Sequence, residues 1–91
     1  PNVPELSLSR NIPIARIAFN GSASEEPVIA RLITTTGIPV SIMGAATRNV
    51  DGKAFGTMLI SLPEEPEKKK EILNFLNGCQ GVSAEEVKEN V

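Results

Sequence analysis

The sequence predicts a single α+β domain in which two helices cover one face of a small antiparallel sheet. Three observations carry the prediction. Residues Ile38 to Leu62 read as two strands joined by a tight turn at Val50-Asp51-Gly52-Lys53, because an Asp-Gly pair tolerates the positive φ angles of a two-residue hairpin. Two other stretches carry apolar residues at helical spacing, Val28, Ile29, Leu32 and Ile33 in one and Ile72, Phe75, Leu76 and Cys79 in the other. A short alternating run stands before the first of these and another after the second, which gives the order β-α-β-β-α-β.

The 91 residues suffice for one domain. A domain of this size buries only about two thirds of its unfolded surface, so association with a second copy would add to its stability. Residues Pro1 to Asn11 hold two prolines and show no period. They read as a linker or N-terminal arm, with the folded domain spanning 12–91. The absence of an initiator methionine suggests a piece of a longer protein.

The first strand is expected over Ile12 to Asn20, with Ala15, Ile17 and Phe19 on one face and Ile12, Ile14, Arg16 and Ala18 on the other. Asn20-Gly21 ends it. Ser22 and Glu25 have the spacing of a capping box, and Pro27 suits the first turn of a helix that runs to about Thr36. Gly37 stands where a left-handed residue closes a helix. The run Thr34 to Thr36 is a poor helix former, so the last turn is expected to fray.

In the central hairpin, Ile38, Val40 and Ile42 alternate with Pro39, Ser41 and Met43. Beyond the turn, Met58, Ile60 and Leu62 alternate with Thr57, Leu59 and Ser61. Gly44 and Gly56 interrupt the pattern, and a strand glycine marks a bulge or a close approach by backbone or ligand. The loop Pro63 to Pro66 leads into the second helix, where acidic residues favour the positive helix end. Gly78 and Gly81 bracket that helix's end. Cys79, on the apolar stripe, reads as a small core residue rather than a reactive thiol. Val82 to about Lys88 forms a final strand, acidic and therefore suited to a sheet edge. The whole is a ferredoxin-like sandwich: a four-stranded antiparallel sheet with two helices on one face and the other face open, to be covered by a second copy, a ligand or a larger parent.

The composition excludes several functions that this fold can host. A net charge of −2, three phenylalanines and no tyrosine or tryptophan argue against an RNA-recognition sheet, which needs a basic surface with aromatic platforms. No nucleic-acid partner is expected. The basic run Lys68 to Lys70 is flanked by Glu64, Glu65, Glu67 and Glu71 and reads as a solvated mixed-charge helix face. One cysteine and no histidine leave neither an internal disulfide nor a zinc site. A metal-carrying Cys-x-x-Cys loop is absent after the first strand. Arg16 and Asn20 are present as in small acyl-phosphate hydrolases, but the loop beside them is not a glycine-rich anion nest. No paired carboxylates or Ser/His arrangement suggests other catalysis. No apolar run approaches the ~20 residues of a membrane span.

The specific part of the chain is the hairpin. Val40 to Gly44 (VSIMG), followed at fixed spacing by Asp51 to Leu59 (DGKAFGTML), resembles the NIL domain, an ACT-like regulatory module at the C-terminus of the ATPase subunit of methionine-import ABC transporters. The resemblance runs from about Ile12 to the C-terminus. It implies a non-catalytic domain at the cytoplasmic face of the plasma membrane, paired with a second copy and attached to a parent ATPase domain that uses ATP and magnesium beside a transmembrane permease. It further implies that L-methionine binds at or near the pairing surface and holds the transporter inactive when internal methionine is high (transinhibition). No cofactor is implied for the domain itself. The family is named for an Asn-Ile-Leu run, and this chain has Ser41-Ile42-Met43 there, a hydroxyl in place of a carboxamide. The candidate ligand residues are Val40, Ser41, Ile42, Met43, Gly44 and Met58. Met43 and Met58 are polarisable wall residues suited to a thioether, or ordinary packing residues. Gly44 and Gly56 expose backbone to a ligand, or are simple bulges. The alternative function is a dimerisation or interaction module of the same fold without ligand binding.

Overall fold

The computed structural model describes residues 12–22 and 25–87. The predicted arm over 1–11 lies outside them, as do parts of the capping box and of the end of the last strand. The element order is β1 (Ile14–Asn20), α1 (Glu25–Thr36), β2 (Ile42–Val50), β3 (Lys53–Ser61), α2 (Pro66–Asn77) and β4 (Val82–Val87). The four strands form one sheet in the order β2-β3-β1-β4, with each neighbouring pair antiparallel. This is the α+β ferredoxin-like arrangement that the sequence predicts.

The Asp51-Gly52 turn fixes the hairpin. Asp51 has φ 55° and Gly52 φ 79°, the paired left-handed conformations of a type I′ turn, whose twist matches that of the flanking strands. Counting outward from it, Val50 pairs with Lys53 and Ala45 with Met58. Gly56, at φ 118°, lies against the neighbouring strand, and a Cβ there would stand 2.9 Å from the Thr47 Cα and overlap the Ala46 carbonyl oxygen. The register then slips between Ile42 and Gly44, so one extra residue, Met43, is accommodated as a bulge. The two hairpin glycines therefore mark the close approach and the bulge expected of them.

The strand pattern sorts the side chains onto two faces. Ala15, Ile17 and Phe19 of β1 and Ala54, Met58 and Ile60 of β3 are buried on the helix side. Val28 and Leu32 of α1 and Ile72 and Leu76 of α2 close over them and are all essentially inaccessible. Ile29, Leu73, Phe75 and Cys79 pack at the margin of this core. Cys79 follows α2 rather than lying within it, and its Sγ–H donates to the Phe75 carbonyl at 3.4 Å. It is half-buried against the core, as a small packing residue would be.

Two boundaries differ from the sequence expectation. β1 begins at Ile14, after Pro13, and β2 at Ile42, because Pro13 and Pro39 lack the N–H that a strand ladder uses and the Ser41 N–H goes to the Ser61 hydroxyl instead of a backbone carbonyl. The end of α1 is held rather than frayed. The Thr36 hydroxyl donates to the Leu32 carbonyl at 2.8 Å and accepts from the Ile38 N–H at 3.1 Å. Gly37 at φ 73° then donates its N–H to the Ile33 carbonyl at 2.8 Å, which is a left-handed helix closure.

β4 is an edge strand tied to α2. The Asn77 amide donates to the carbonyls of Leu73 and Ala84 at 3.0 Å each and accepts from the Ala84 N–H at 2.9 Å. Lys69, in the basic run, pairs with Glu86 of β4 at 3.1 Å. No helix among the described residues is long and apolar enough to cross a membrane.

Candidate ligand site on the open sheet face

Among the described residues, none covers the face of the sheet away from the helices. Its side chains come from alternate positions: Arg16 and Ala18 of β1, Gly44, Ala46 and Arg48 of β2, Phe55, Thr57 and Leu59 of β3, and Ser83 and Glu85 of β4. Two shallow depressions lie on it. One, of about 180 Å³, is lined by Gly44, Ala45, Ala46, Thr57 and Leu59. The other, of about 220 Å³, is lined by Arg16, Ala18, Ser83, Ala84 and Glu85. Small residues at Gly44, Ala46, Ala18 and Ser83 make these floors low.

The run Ser41 to Gly44 stays together, Ser41 just before β2 and Ile42 to Gly44 at its start. Ser41 is exposed, and its backbone is held from both sides. Its N–H donates to the Ser61 hydroxyl at 2.9 Å, and its carbonyl accepts from the Ser61 N–H at 2.8 Å. Ile42 is 55% exposed and Met43, the bulged residue, 38%. Gly44 opposes Leu59 and lies at the edge of the smaller depression. Val40 stands apart, half-buried against the core. Met58 is separated from the run as well. At 4% exposure it belongs to the core on the helix side, opposite Ala45, so its thioether packs against protein.

The open-face residues Ala46, Thr57 and Leu59 were not singled out by sequence. The turn carries the signal that finds them, since counting outward from Asp51-Gly52 places Ala46 opposite Thr57 and Gly44 opposite Leu59. Arg16 is, as its strand position suggests, a surface residue. Its Nη1 donates to Glu85 Oε2 at 2.8 Å across the β1–β4 pair.

Comparison with known proteins places the chain. The sequence profile of the NIL domain matches residues 13–86. The chain is similar to a methionine import ATP-binding protein, MetN, of Streptomyces griseus. The two are 37% identical over 76 residues, 84% of this chain and 21% of that protein. The namesake protein of Streptomyces coelicolor is 38% identical over 73 residues, 80% of this chain and 20% of that protein. The chain thus spans about a fifth of the length of these relatives. Among solved structures, the C-terminal domain of an ABC transporter ATP-binding protein from Enterococcus faecalis superposes with a TM-score of 0.67. That match covers 98% of each chain at 23% identity and speaks to the fold. With the family profile covering nearly all of the described residues and the relatives agreeing with it, the chain belongs to the NIL domain family.

Proposed function

We propose that this chain is the regulatory, ligand-sensing domain of the ATPase subunit of an ABC transporter that imports methionine. In this reading the domain has no catalytic role. It binds L-methionine at or near the surface where two copies meet, at the cytoplasmic face of the plasma membrane. Bound methionine holds the importer inactive when internal methionine is high. The parent chain supplies an ATPase domain, with ATP and magnesium, and engages a transmembrane permease. The observation that supports this most is family membership together with relatives whose names specify methionine import. The open sheet face, with Gly44 lowering its floor near the exposed Ser41 to Met43 run, supports the reading.

The mechanism is linkage. A ligand shifts a two-state transporter only by the difference in its affinity for the two states. A coupling of ~1–3 kcal/mol changes activity by roughly 5- to 150-fold. Methionine bound between two copies only in the inhibited arrangement supplies that difference.

Calorimetric titration of the chain with L-methionine tests the reading, with D-methionine and L-leucine as controls. Saturable, stereospecific heat with about one ligand per chain is the expected result. Silence up to the solubility of the ligand, from a folded and dimeric protein, favours the second reading, an interaction module that no longer binds ligand. The observation favouring that alternative is at Ser41, whose short hydroxyl stands at the family's carboxamide position and whose N–H is already committed to Ser61.

A further inference from the structure

We propose that the Arg16–Glu85 pair is the head-group subsite for a single zwitterionic α-amino acid with an apolar side chain, the tail of which lies over Leu59 toward Gly44. The inference rests on the ligand-sensing reading and adds to it the residues that recognise the ligand's charges, on β1 and β4 rather than on the hairpin.

The strand registers bring the parts into line. Gly44 opposes Leu59, Leu59 opposes Arg16, and Arg16 opposes Glu85, so the four residues form one row across the open face. The adjacent row is Ala46, Thr57, Ala18 and Ser83. Apolar and small groups lie at the β2 end of these rows, and the charged pair with the Ser83 hydroxyl lies at the β4 end. Neighbouring strands are ~4.8 Å apart, so Leu59 is one spacing from Arg16 and Gly44 is two. A methionine or leucine side chain reaches about one spacing from its α-carbon. A head group on Arg16 therefore lays its tail on Leu59, on the side facing the depression at Gly44.

The chemistry of the pair matches a zwitterion. The guanidinium fork of Arg16 suits a carboxylate held bidentately, and the Glu85 carboxylate accepts hydrogen bonds from an ammonium. The two side chains are 48% and 67% exposed. An ion pair this open adds little to stability, so separating it to admit a ligand is cheap. A carboxylate and an ammonium on one carbon, inserted between them, replace one ion contact by two and leave no charge unmatched. Ser83 lines the same depression and offers a further donor or acceptor. The other ion pair described, Lys69–Glu86, is 23% and 29% exposed. It lies on the helix side and joins α2 to β4, away from the open face, which makes it the natural control.

The test is titration of the wild-type chain, Arg16→Gln, Glu85→Gln and Lys69→Gln, followed by calorimetry and by amide shifts in NMR. The ligands are L-methionine, L-leucine, L-methioninamide and N-acetyl-L-methionine. In the wild type, blocking either charge of methionine weakens binding by at least about tenfold. Arg16→Gln weakens L-methionine by a similar factor and erases its advantage over the amide. Glu85→Gln erases its advantage over the N-acetyl derivative. Lys69→Gln binds as wild type, and unchanged melting temperatures of the Arg16 and Glu85 variants show that the fold is intact. Wild-type affinity in both of those variants overturns the head-group assignment while the ligand-sensing reading stands. If the wild type binds none of these amino acids up to their solubility, both fall together.

Discussion

The Ser41 N–H donates to the Ser61 hydroxyl at 2.9 Å, and the Ser61 N–H donates back to the Ser41 carbonyl at 2.8 Å. One side-chain oxygen thus substitutes for a ladder acceptor just where the Met43 bulge puts the two strands out of step. Ser61→Ala is expected to cost about 1 kcal/mol and to speed hydrogen exchange at the Ser41 amide, whereas Ser61→Thr keeps the acceptor and the protection. Denaturant unfolding and amide exchange followed by NMR check this. Unchanged exchange at Ser41 in the alanine variant would show that the hydroxyl is not what holds the segment.

Gly56 and Gly52 form a matched pair. Both have positive φ, but a Cβ at Gly52 meets nothing within 4 Å, whereas at Gly56 it overlaps the backbone of β2. Gly52→Ala should cost about 1 kcal/mol, the conformational term alone, and Gly56→Ala about 2–3 kcal/mol or more, because β2 must also move. Urea midpoints at matched m-values measure both. Equal costs would mean that the strands separate there without penalty.

Asn77 ties the last turn of α2 to β4 through three hydrogen bonds. Asn77→Ala leaves the Ala84 N–H and carbonyl to water and is expected to cost about 1–3 kcal/mol. The loss should fall mainly on β4, seen as faster exchange of its amides than of those in β3.

Ser41→Asn restores the family's carboxamide beside Gly44. If this run contacts the amino acid, the variant should bind L-methionine several-fold more tightly than the wild type, read by calorimetry. Unchanged affinity would remove Ser41 from the contact.

The elements that local chemistry defines were legible in the sequence. The Asp51-Gly52 turn sets the hairpin register, and period-two alternation separates Ala15, Ile17 and Phe19 from Arg16 and Ala18. The same period placed Met58 with Ile60 and Leu62, in the core, although its thioether also made it a plausible ligand wall. Helix propensity alone suggested fraying at Thr34 to Thr36, because it leaves out the hydrogen bonds of the Thr36 hydroxyl. The juxtaposition of Arg16 with Glu85 was not readable. The register of β4 against β1 is set by the crossover through α2 and its packing, and no turn fixes it locally.

The two borders of the sheet are unequal. β4 carries Glu85 and Glu86 within six residues, whereas the nine residues of β2 carry a single charge, Arg48. Charged side chains on a border lose hydration when another strand is laid beside them, even when paired as Glu85 is with Arg16 and Glu86 with Lys69, so β4 resists extension by another strand while β2 permits it. Lateral growth is therefore one-sided. Two copies joined β2 to β2 about a two-fold axis would consume both permissive borders and present only the charged ones, so such an assembly would close at two rather than propagate as a filament.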